Sequence, residues 1–121
     1  MLLEFQPWER MNIYMDKTNN NINAVTKAIW DKLSVKDLAQ MRGKVAVQVN
    51  LTGKCPGVFY IEILDGVLSV EPYEYIDKDG EIDITKTNLL KLTSGKIKLS
   101  DDKITIKGDV EKIMMFEPLF A

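Results

Sequence analysis

The stretch of sequence that decides the fold is KDGEIDITKTNLLKLTSGKIKLSDDKITIKGDVEKIMMFEPLF, residues 78–120. Residues 81–85 alternate strictly between apolar and polar side chains, which indicates a strand with one buried face. Residues 88–93 are predicted to form a short apolar helix, and residues 103–107 a second alternating strand. The apolar residues of 110–120 then predict a terminal helix. The order is therefore strand, helix, strand and helix, without a spacer between them.

Turn and cap residues separate these elements. Thr87 is suited to cap the short helix, because a threonine oxygen can accept a hydrogen bond from the first helical turn. Gly95 is suited to end that helix in the left-handed conformation, which glycine adopts at little cost. Gly108 and Asp109 mark the start of the final helix.

Three further strands are predicted upstream. Valines alternate with other residues over 44–51, and apolar residues alternate again over 58–64 and 67–71. The dipeptide Asp65-Gly66 between the last two segments indicates a tight hairpin, because a type I′ turn needs positive φ at both central residues. These three strands are expected to be antiparallel.

The part of the chain before the strands is predicted to be helical. Apolar residues over 22–33 recur at the spacing of an amphipathic helix. Ser34 followed by Asp37 resembles a capping signal for a second short helix that ends near Gly43. With helices on one face of a mainly antiparallel sheet of five strands, the fold class is α+β.

Length and composition indicate one folded domain. The chain has 121 residues, 45% of them apolar and 28% charged, so one hydrophobic core is expected. We expect a single domain over 1–121, in which 18–120 form the body and 1–17 an N-terminal extension without a clean apolar period. A net charge of −2 provides no field that would attract nucleic acid.

The compartment is predicted from the cysteine content and the termini. Cys55 is the single cysteine and cannot form an intramolecular disulfide, and residues 1–5 do not resemble a signal peptide. We therefore expect a cytoplasmic protein. No apolar run approaches the roughly 18–20 residues that span a bilayer, so any contact with lipid would be inside a pocket or transient, at a membrane surface.

The residues commonly used in catalysis are missing. The chain has no histidine, no glycine-rich phosphate loop and no serine nucleophile elbow. Asp77-x-Asp79-Gly80 lacks the spacing of a calcium loop and is predicted to be a plain turn. Cys55 has no histidine to activate it and is expected to be inert. We expect no catalytic residue, no metal and no cofactor.

Several local patterns, in this order along the chain, resemble the sterol carrier protein family over residues 44–120. They are the valine-rich first strand, the hairpin turning at Asp65-Gly66, the segment Ile82-x-Ile84 running into Thr87-Asn88-Leu89-Leu90-x-Leu92-x-x-Gly95-Lys96, and Ile104-x-Ile106-x-Gly108-Asp109. The resemblance implies a five-stranded sheet whose covering helices enclose an apolar cavity for fatty acyl chains, sterols or similar lipids.

Two features depart from that family. The connection over 97–103 is shorter than usual, and its alternation also allows a small hairpin with residues 103–107. The prefix over 1–21 is longer than usual. Both segments border the cavity in the family, so they bear on ligand size and on how the ligand enters.

The predicted ligand-binding residues point inward from the strands, the short helix and the terminal helix. Without the resemblance, the same residues are as well explained as ordinary core. Adjacent methionines would form an adaptable wall, since unbranched side chains conform to irregular ligands. The predicted set is Phe59, Ile61, Ile63, Leu68, Ile82, Leu89, Leu92, Met114, Met115, Phe116 and Phe120.

Two functional hypotheses follow. The first is non-catalytic binding and carriage of a hydrophobic small molecule, such as a fatty acid, an acyl chain, a sterol-like molecule or an isoprenoid lipid. The alternative is a protein-interaction or oligomerisation module of the same fold, with its cavity filled by its own side chains. Trp8, Tyr14 and Trp30 would be its anchors. A homo-oligomer is compatible with both.

Overall fold

The computed structural model describes residues 22–54 and 56–120. The predictions for the extension over 1–17 and for Cys55 fall outside these residues. The elements in chain order are helix α1 (22–34), strands β1 (Lys44–Thr52), β2 (Gly57–Leu64), β3 (Val67–Glu71) and β4 (Gly80–Thr85), helix α2 (Lys86–Thr93), strand β5 (Thr105–Gly108), and helices α3 (Val110–Met114) and α4 (Glu117–Phe120).

The five strands form one sheet in the order β3-β2-β1-β4-β5. Strand β1 is central, antiparallel to β2 and parallel to β4, and the two outer pairs are antiparallel. The predicted α+β fold with a mainly antiparallel five-stranded sheet is confirmed. Its single parallel pair requires the segment 72–79 to cross from one edge of the sheet to the other side of β1.

One face of the sheet holds the core. The strand register aligns Val47 with Ile61 and Val49 with both Phe59 and Ile82, so these side chains point to the same side. Helix α1 adds buried residues at helical spacing. The fully or almost fully buried core residues include Ile29, Leu33, Val47, Val49, Phe59, Ile61, Ile63, Ile84, Leu99, Ile113 and Phe116.

The predicted second helix after Ser34 is wrong. The Ser34 hydroxyl donates to the carbonyl of Asp31, 3.4 Å away, and so belongs to the end of α1. The Asp37 carboxylate accepts from the Ala39 amide at 3.1 Å, which is a local turn contact. The side chains that suggested a capping signal therefore bond within separate turns, and residues 35–43 contain no helix.

The C-terminal segment consists of two short helices, so the prediction of a single terminal helix is wrong. Asp109 begins α3, and its carboxylate accepts from the Lys112 amide at 3.2 Å. Pro118 has no N–H to donate to the carbonyl four residues earlier, which interrupts a continuous helix. Ile113, Phe116 and Phe120 are buried, whereas Met115 is 41% exposed.

The structure decides three predictions for helix α2 and for the connection that follows it. Thr85, not Thr87, caps α2, since its hydroxyl accepts from the Asn88 amide at 3.1 Å. Gly95 adopts φ 78° after the helix, as predicted. Residues 96–104 form successive turns, so the small hairpin considered for this connection is absent.

Asp79 joins three elements where the sheet becomes parallel. Its amide donates to the carbonyl of Ala46 at 2.8 Å, and its carboxylate accepts from the amide of Ala46 at 2.7 Å. Its own carbonyl accepts from the amide of Asp109 at 2.9 Å, and its carboxylate pairs with Lys112 at 3.1 Å. Strand β1, the start of β4 and the start of α3 are thereby held together.

The outer face of the sheet is polar and partly covered by the crossing segment 72–79. Gln48 on β1 is 6% exposed, and its side-chain oxygen accepts from the amide of Tyr75 at 3.0 Å. The hydroxyl of Tyr75 donates to the carboxylate of Glu62 on β2. A buried polar group must be paired to avoid a desolvation cost. The Tyr75 amide of this segment provides the hydrogen bond to the side-chain oxygen of Gln48.

Farther along the same face, Asn50 links two carboxylates of β4. Its amide nitrogen donates to Glu81 and to Asp83, both at 2.8 Å. Lys107 on β5 pairs with Asp83 at 3.0 Å. The hydrogen bond from Asn50 and then the charge and hydrogen bond of Lys107 lower the pKa of Asp83, against the effect of burial.

We predict that Gly80→Ala destabilises the fold by about 2–3 kcal/mol. A Cβ at Gly80 would overlap the side chain of Ile113 and lie 2.5 Å from the carbonyl oxygen of Lys107. The matched control is Gly43→Ala, where φ is 77° and no atom lies within 4 Å, so only the backbone strain of about 1 kcal/mol applies. Urea unfolding measures both, and equal losses would contradict the prediction.

We predict that Asp83 contributes to stability in a pH-dependent way. Its pKa is lower in the folded state than in the unfolded chain, so its contribution is present above the ordinary aspartate pKa of about 3.9. It is lost as the pH falls through the folded value. In Asp83→Asn, the free energy of unfolding should fall less steeply with acidification below about pH 4. Asn50→Ala should reduce the slope as well, and a wild-type slope in both variants would refute this assignment.

Candidate ligand pocket

A pocket open to solvent lies between the end of α2, the turns that follow it, and α4. Its volume is about 340 Å³, and the surface that lines it is mostly apolar. The lining residues are Leu92, Gly95, Ile97, Lys98, Glu117, Pro118 and Phe120. We call this space the C-terminal pocket.

The end of α2 shapes one wall of the C-terminal pocket. The amide of Gly95 donates to the carbonyl of Leu92 at 3.2 Å, and the amide of Lys96 donates to the carbonyl of Lys91 at 2.8 Å. Only a residue that tolerates positive φ can reverse the chain at Gly95 without strain. The reversal brings Ile97 and Lys98 back beside Leu92.

The opposite wall is held by one side-chain contact. The Glu117 carboxylate accepts from the amide of Leu99 at 2.8 Å. The side chain of Leu99 is fully buried, so this bond joins the turns after α2 to α4 at the edge of the core. Because α4 is not continuous with α3, the position of this wall depends on Glu117 and on the burial of Phe120.

The structure places the predicted ligand-binding residues at three depths. Leu92 and Phe120 line the C-terminal pocket. Leu68 and Met114 are partly buried against the core, and Met115 is 41% exposed. The others lie inside the core cluster and do not line this pocket: Phe59, Ile61, Ile63, Ile82, Leu89 and Phe116.

Five pocket residues were not in the predicted set. They are Gly95, Ile97, Lys98, Glu117 and Pro118. The sequence carried a signal for two of them, Gly95 and Ile97. Gly95 ends the helix with a chain reversal, so Ile97, two positions later, turns back toward the helix. Nothing in the local pattern indicated that Glu117 would bond to Leu99.

The C-terminal pocket is lined by apolar side chains together with Lys98 and Glu117, and the Glu117 carboxylate is already bonded to the Leu99 amide. No group of three or more histidine, cysteine, aspartate or glutamate side chains in the described part of the chain is arranged to hold a metal ion. Within residues 22–54 and 56–120, none of the helices combines the length and apolar character needed to cross a bilayer.

The model of the SCP-2 sterol transfer family matches residues 22–121, which is most of the chain. The chain belongs to this family. The resemblance noted over residues 44–120 is thereby confirmed, and the match extends it upstream through α1. No curated protein sequence is significantly similar to the chain.

Solved structures share the SCP-2 fold at low sequence identity. Sterol carrier protein 2 like 2 from Aedes aegypti has a TM-score of 0.60 and 12% identity, with 79% of this chain and 93% of that chain covered. The sterol carrier protein-2 of Aedes aegypti in complex with palmitate, a C16 fatty acid, has a TM-score of 0.56 and 19% identity, with 84% and 94% covered.

Larger proteins contain the same fold as one part. The stereoselective inverting sec-alkylsulfatase Pisa1 from Pseudomonas sp. has a TM-score of 0.54 and 16% identity, over 63% of this chain. The chain spans 12% and 13% of the length of the two alkylsulfatase structures that it matches. At these identities the structural likeness establishes the fold alone.

We predict that Glu117→Ala destabilises the protein by about 1–3 kcal/mol, because it leaves the buried amide of Leu99 without its acceptor. Glu117→Gln retains an acceptor oxygen and should cost less. The control is Glu111→Ala on the exposed side of α3, expected to cost about 0.5 kcal/mol or less. Thermal and urea unfolding distinguish the three variants, and equal stability of Glu117→Ala and Glu111→Ala would contradict the proposed tie.

Proposed function

We propose that this protein binds and carries a hydrophobic small molecule, without catalysis, in an apolar site between α2, the turns that follow it and α4. The observation that supports this most is the C-terminal pocket of about 340 Å³ in a member of the SCP-2 sterol transfer family. That volume lies at the lower end of the range found for small-molecule sites, about 300–1,000 Å³.

The ligand we propose first is a single acyl chain. Sterol-like and isoprenoid molecules are the other hydrophobic candidates. The palmitate complex of the Aedes aegypti relative supports an acyl chain. Each buried methylene contributes about 0.8 kcal/mol, so ten would contribute about 8 kcal/mol before the cost of association. Such a ligand needs an apolar wall more than it needs specific polar partners.

The contact residues we propose first are Leu92, Ile97, Pro118 and Phe120, because they form the apolar part of the pocket wall. Phe116 and Leu89 belong to the core cluster together with Leu92 and Phe120. A longer ligand would reach them if α4, only four residues long, moved outward. Met114 and Met115 would then adapt to its shape.

The same site suggests how a headgroup would be held. Lys98 lines the pocket, and its ammonium group can pair with a carboxylate. The negative charge of Glu117 would repel an anion from the other side of the pocket. We therefore propose that a fatty acid would enter with its carboxylate toward Lys98 and its alkyl chain toward Phe120. The single cysteine is consistent with a reducing cytoplasm as the place of carriage.

One observation favours the alternative of an interaction module. Phe59, Ile61 and Ile63, predicted to line a cavity, have at most 1% of their surface exposed within the core. A core filled by its own side chains would make the protein a docking partner and not a carrier. Assembly and ligand content separate the two functions experimentally.

The experiment combines solvent extraction of the purified protein, mass spectrometry of the extract, and displacement of a fluorescent fatty acid by palmitate. Stoichiometric lipid with saturable displacement is expected. The absence of both lipid and displacement would overturn the carrier proposal. A concentration-dependent molecular mass without lipid would instead support the interaction module.

We predict that Ile97→Asp weakens palmitate binding about tenfold or more, because it places a carboxylate on the apolar wall beside the alkyl chain. The control is Val35→Asp, a residue that is 79% exposed and remote from the pocket lining. Circular dichroism confirms that both variants fold. Equal affinities of the two variants would place the ligand elsewhere.

A further inference from the structure

A shallow depression, wide open to solvent, lies on the outer face of the sheet, opposite the core. Its volume is about 440 Å³. It is lined by Tyr60, Tyr73, Glu74, Tyr75, Ile76 and Asp77. We call it the tyrosine pocket. Three of its six lining residues are tyrosines and two are carboxylates, a composition unlike that of the acyl-chain site.

Two of the three rings are held in place by the fold. Tyr60 is on β2, and its ring meets that of Tyr75 edge to face, with centroids 4.9 Å apart and an interplanar angle of 74°. The backbone and the hydroxyl of Tyr75 are bonded to Gln48 and Glu62. The aromatic surfaces are therefore preorganised, so a ligand would not have to order them.

An ammonium group of the chain itself contacts two residues that line the pocket. The Nζ of Lys44 lies 5.1 Å from the ring centroid of Tyr75 and 3.0 Å from the Asp77 carboxylate. A cation within about 6 Å of an aromatic centroid is attracted by the ring quadrupole. The chemistry of the pocket therefore suits a cation, and Lys44 uses the face of one ring only.

Lys44 neutralises Asp77, but the nearby carboxylates of Glu71 and Glu74 have no such partner among the described lysines and arginines. Lys78 donates to the carbonyl of Tyr75 at 3.3 Å. No lysine or arginine among residues 22–54 and 56–120 forms an ion pair with Glu71 or Glu74. Burial is the main cause of the raised pKa of Tyr60, and the negative charges of Glu71 and Glu62 add to it.

The outer part of the pocket adds exposed apolar and aromatic surface. Ile76 is 98% exposed and Tyr73 is 63% exposed. Such surfaces suit the carbon groups around an organic cation, whereas a hydrated metal ion gains nothing from them. Of the two carboxylates that line the pocket, Asp77 is paired with Lys44, and Glu74 has no ion pair with a described lysine or arginine.

We propose that the tyrosine pocket is a binding site for an organic cation of the ammonium or guanidinium class. The cation would lie against Tyr60 and Tyr73, its charge facing Glu74 and its carbon groups facing Ile76. Two sources share this chemistry: a free small ammonium compound, and a lysine or arginine side chain of a partner polypeptide. The proposal does not depend on lipid carriage, because the two pockets share no lining residue.

The test is a titration of the full chain with choline chloride and, separately, with Nα-acetyl-arginine amide. Backbone amide shifts are followed by nuclear magnetic resonance, with sodium chloride at equal concentration as the control for ionic strength. We expect saturable shifts at residues 60 and 73–77 with a dissociation constant in the millimolar range. Saturation with choline alone assigns a small ammonium ligand, and saturation with the arginine derivative alone assigns a side chain of a partner. Either result supports the site.

Exposed residues of the pocket provide variants that retain the fold. Tyr73→Leu is expected to weaken binding about fivefold, and Glu74→Gln about twofold or more. The matched controls are Trp30→Leu on α1 and Glu111→Gln on α3, an exposed aromatic residue and an exposed carboxylate outside the pocket. Shifts that sodium chloride reproduces, or that Tyr73→Leu and Glu74→Gln leave unchanged, would overturn the proposal.

Discussion

The fold depends on how Asp79 joins β4 to the middle of the sheet. Strand β1 must be paired on both sides, because its backbone is buried between β2 and β4. The two hydrogen bonds between Asp79 and Ala46 start the parallel ladder one residue before Val47 aligns with Gly80. The same residue binds Asp109 and Lys112, so the position of the C-terminal helices follows from the same contact.

Much of the fold could be predicted from the sequence because strand periodicity is a local property. The alternation in β1, β2 and β4 and the Asp65-Gly66 turn identify strands and a hairpin without knowledge of their neighbours. The parallel partner of β1 is not a local property. The cap of α2 is local, since Thr85 bonds to Asn88, but Thr85 and Thr87 are the same residue type and the pattern did not tell them apart. The predicted second helix is absent because the side chains of Ser34 and Asp37 bond to nearby backbone groups, the Asp31 carbonyl and the Ala39 amide, and do not cap a helix.

The C-terminal pocket was harder to predict than the fold. Hydrophobic residues on inward faces can be recognised from their period, but the period does not tell a ligand wall from a filled core. Leu92 and Phe120 line the pocket, whereas Phe59 and Ile61 with the same pattern are sealed inside. What distinguishes them is the break between α3 and α4 and the long-range bond between Glu117 and Leu99, neither of which has a sequence period.

The parallel pairing of β1 with β4 also has a kinetic consequence. The hairpins β1-β2 and β2-β3 are contacts between neighbouring segments, while Ala46 and Asp79 are separated by 33 positions along the chain. Closing that loop costs more conformational entropy than closing a hairpin, so we expect it to limit the rate of folding. During synthesis, the three-stranded meander would wait with one edge of β1 unpaired until residues 80–85 emerge. A chaperone that shields a strand edge would act at this stage, before α2 and α4 exist to enclose any ligand.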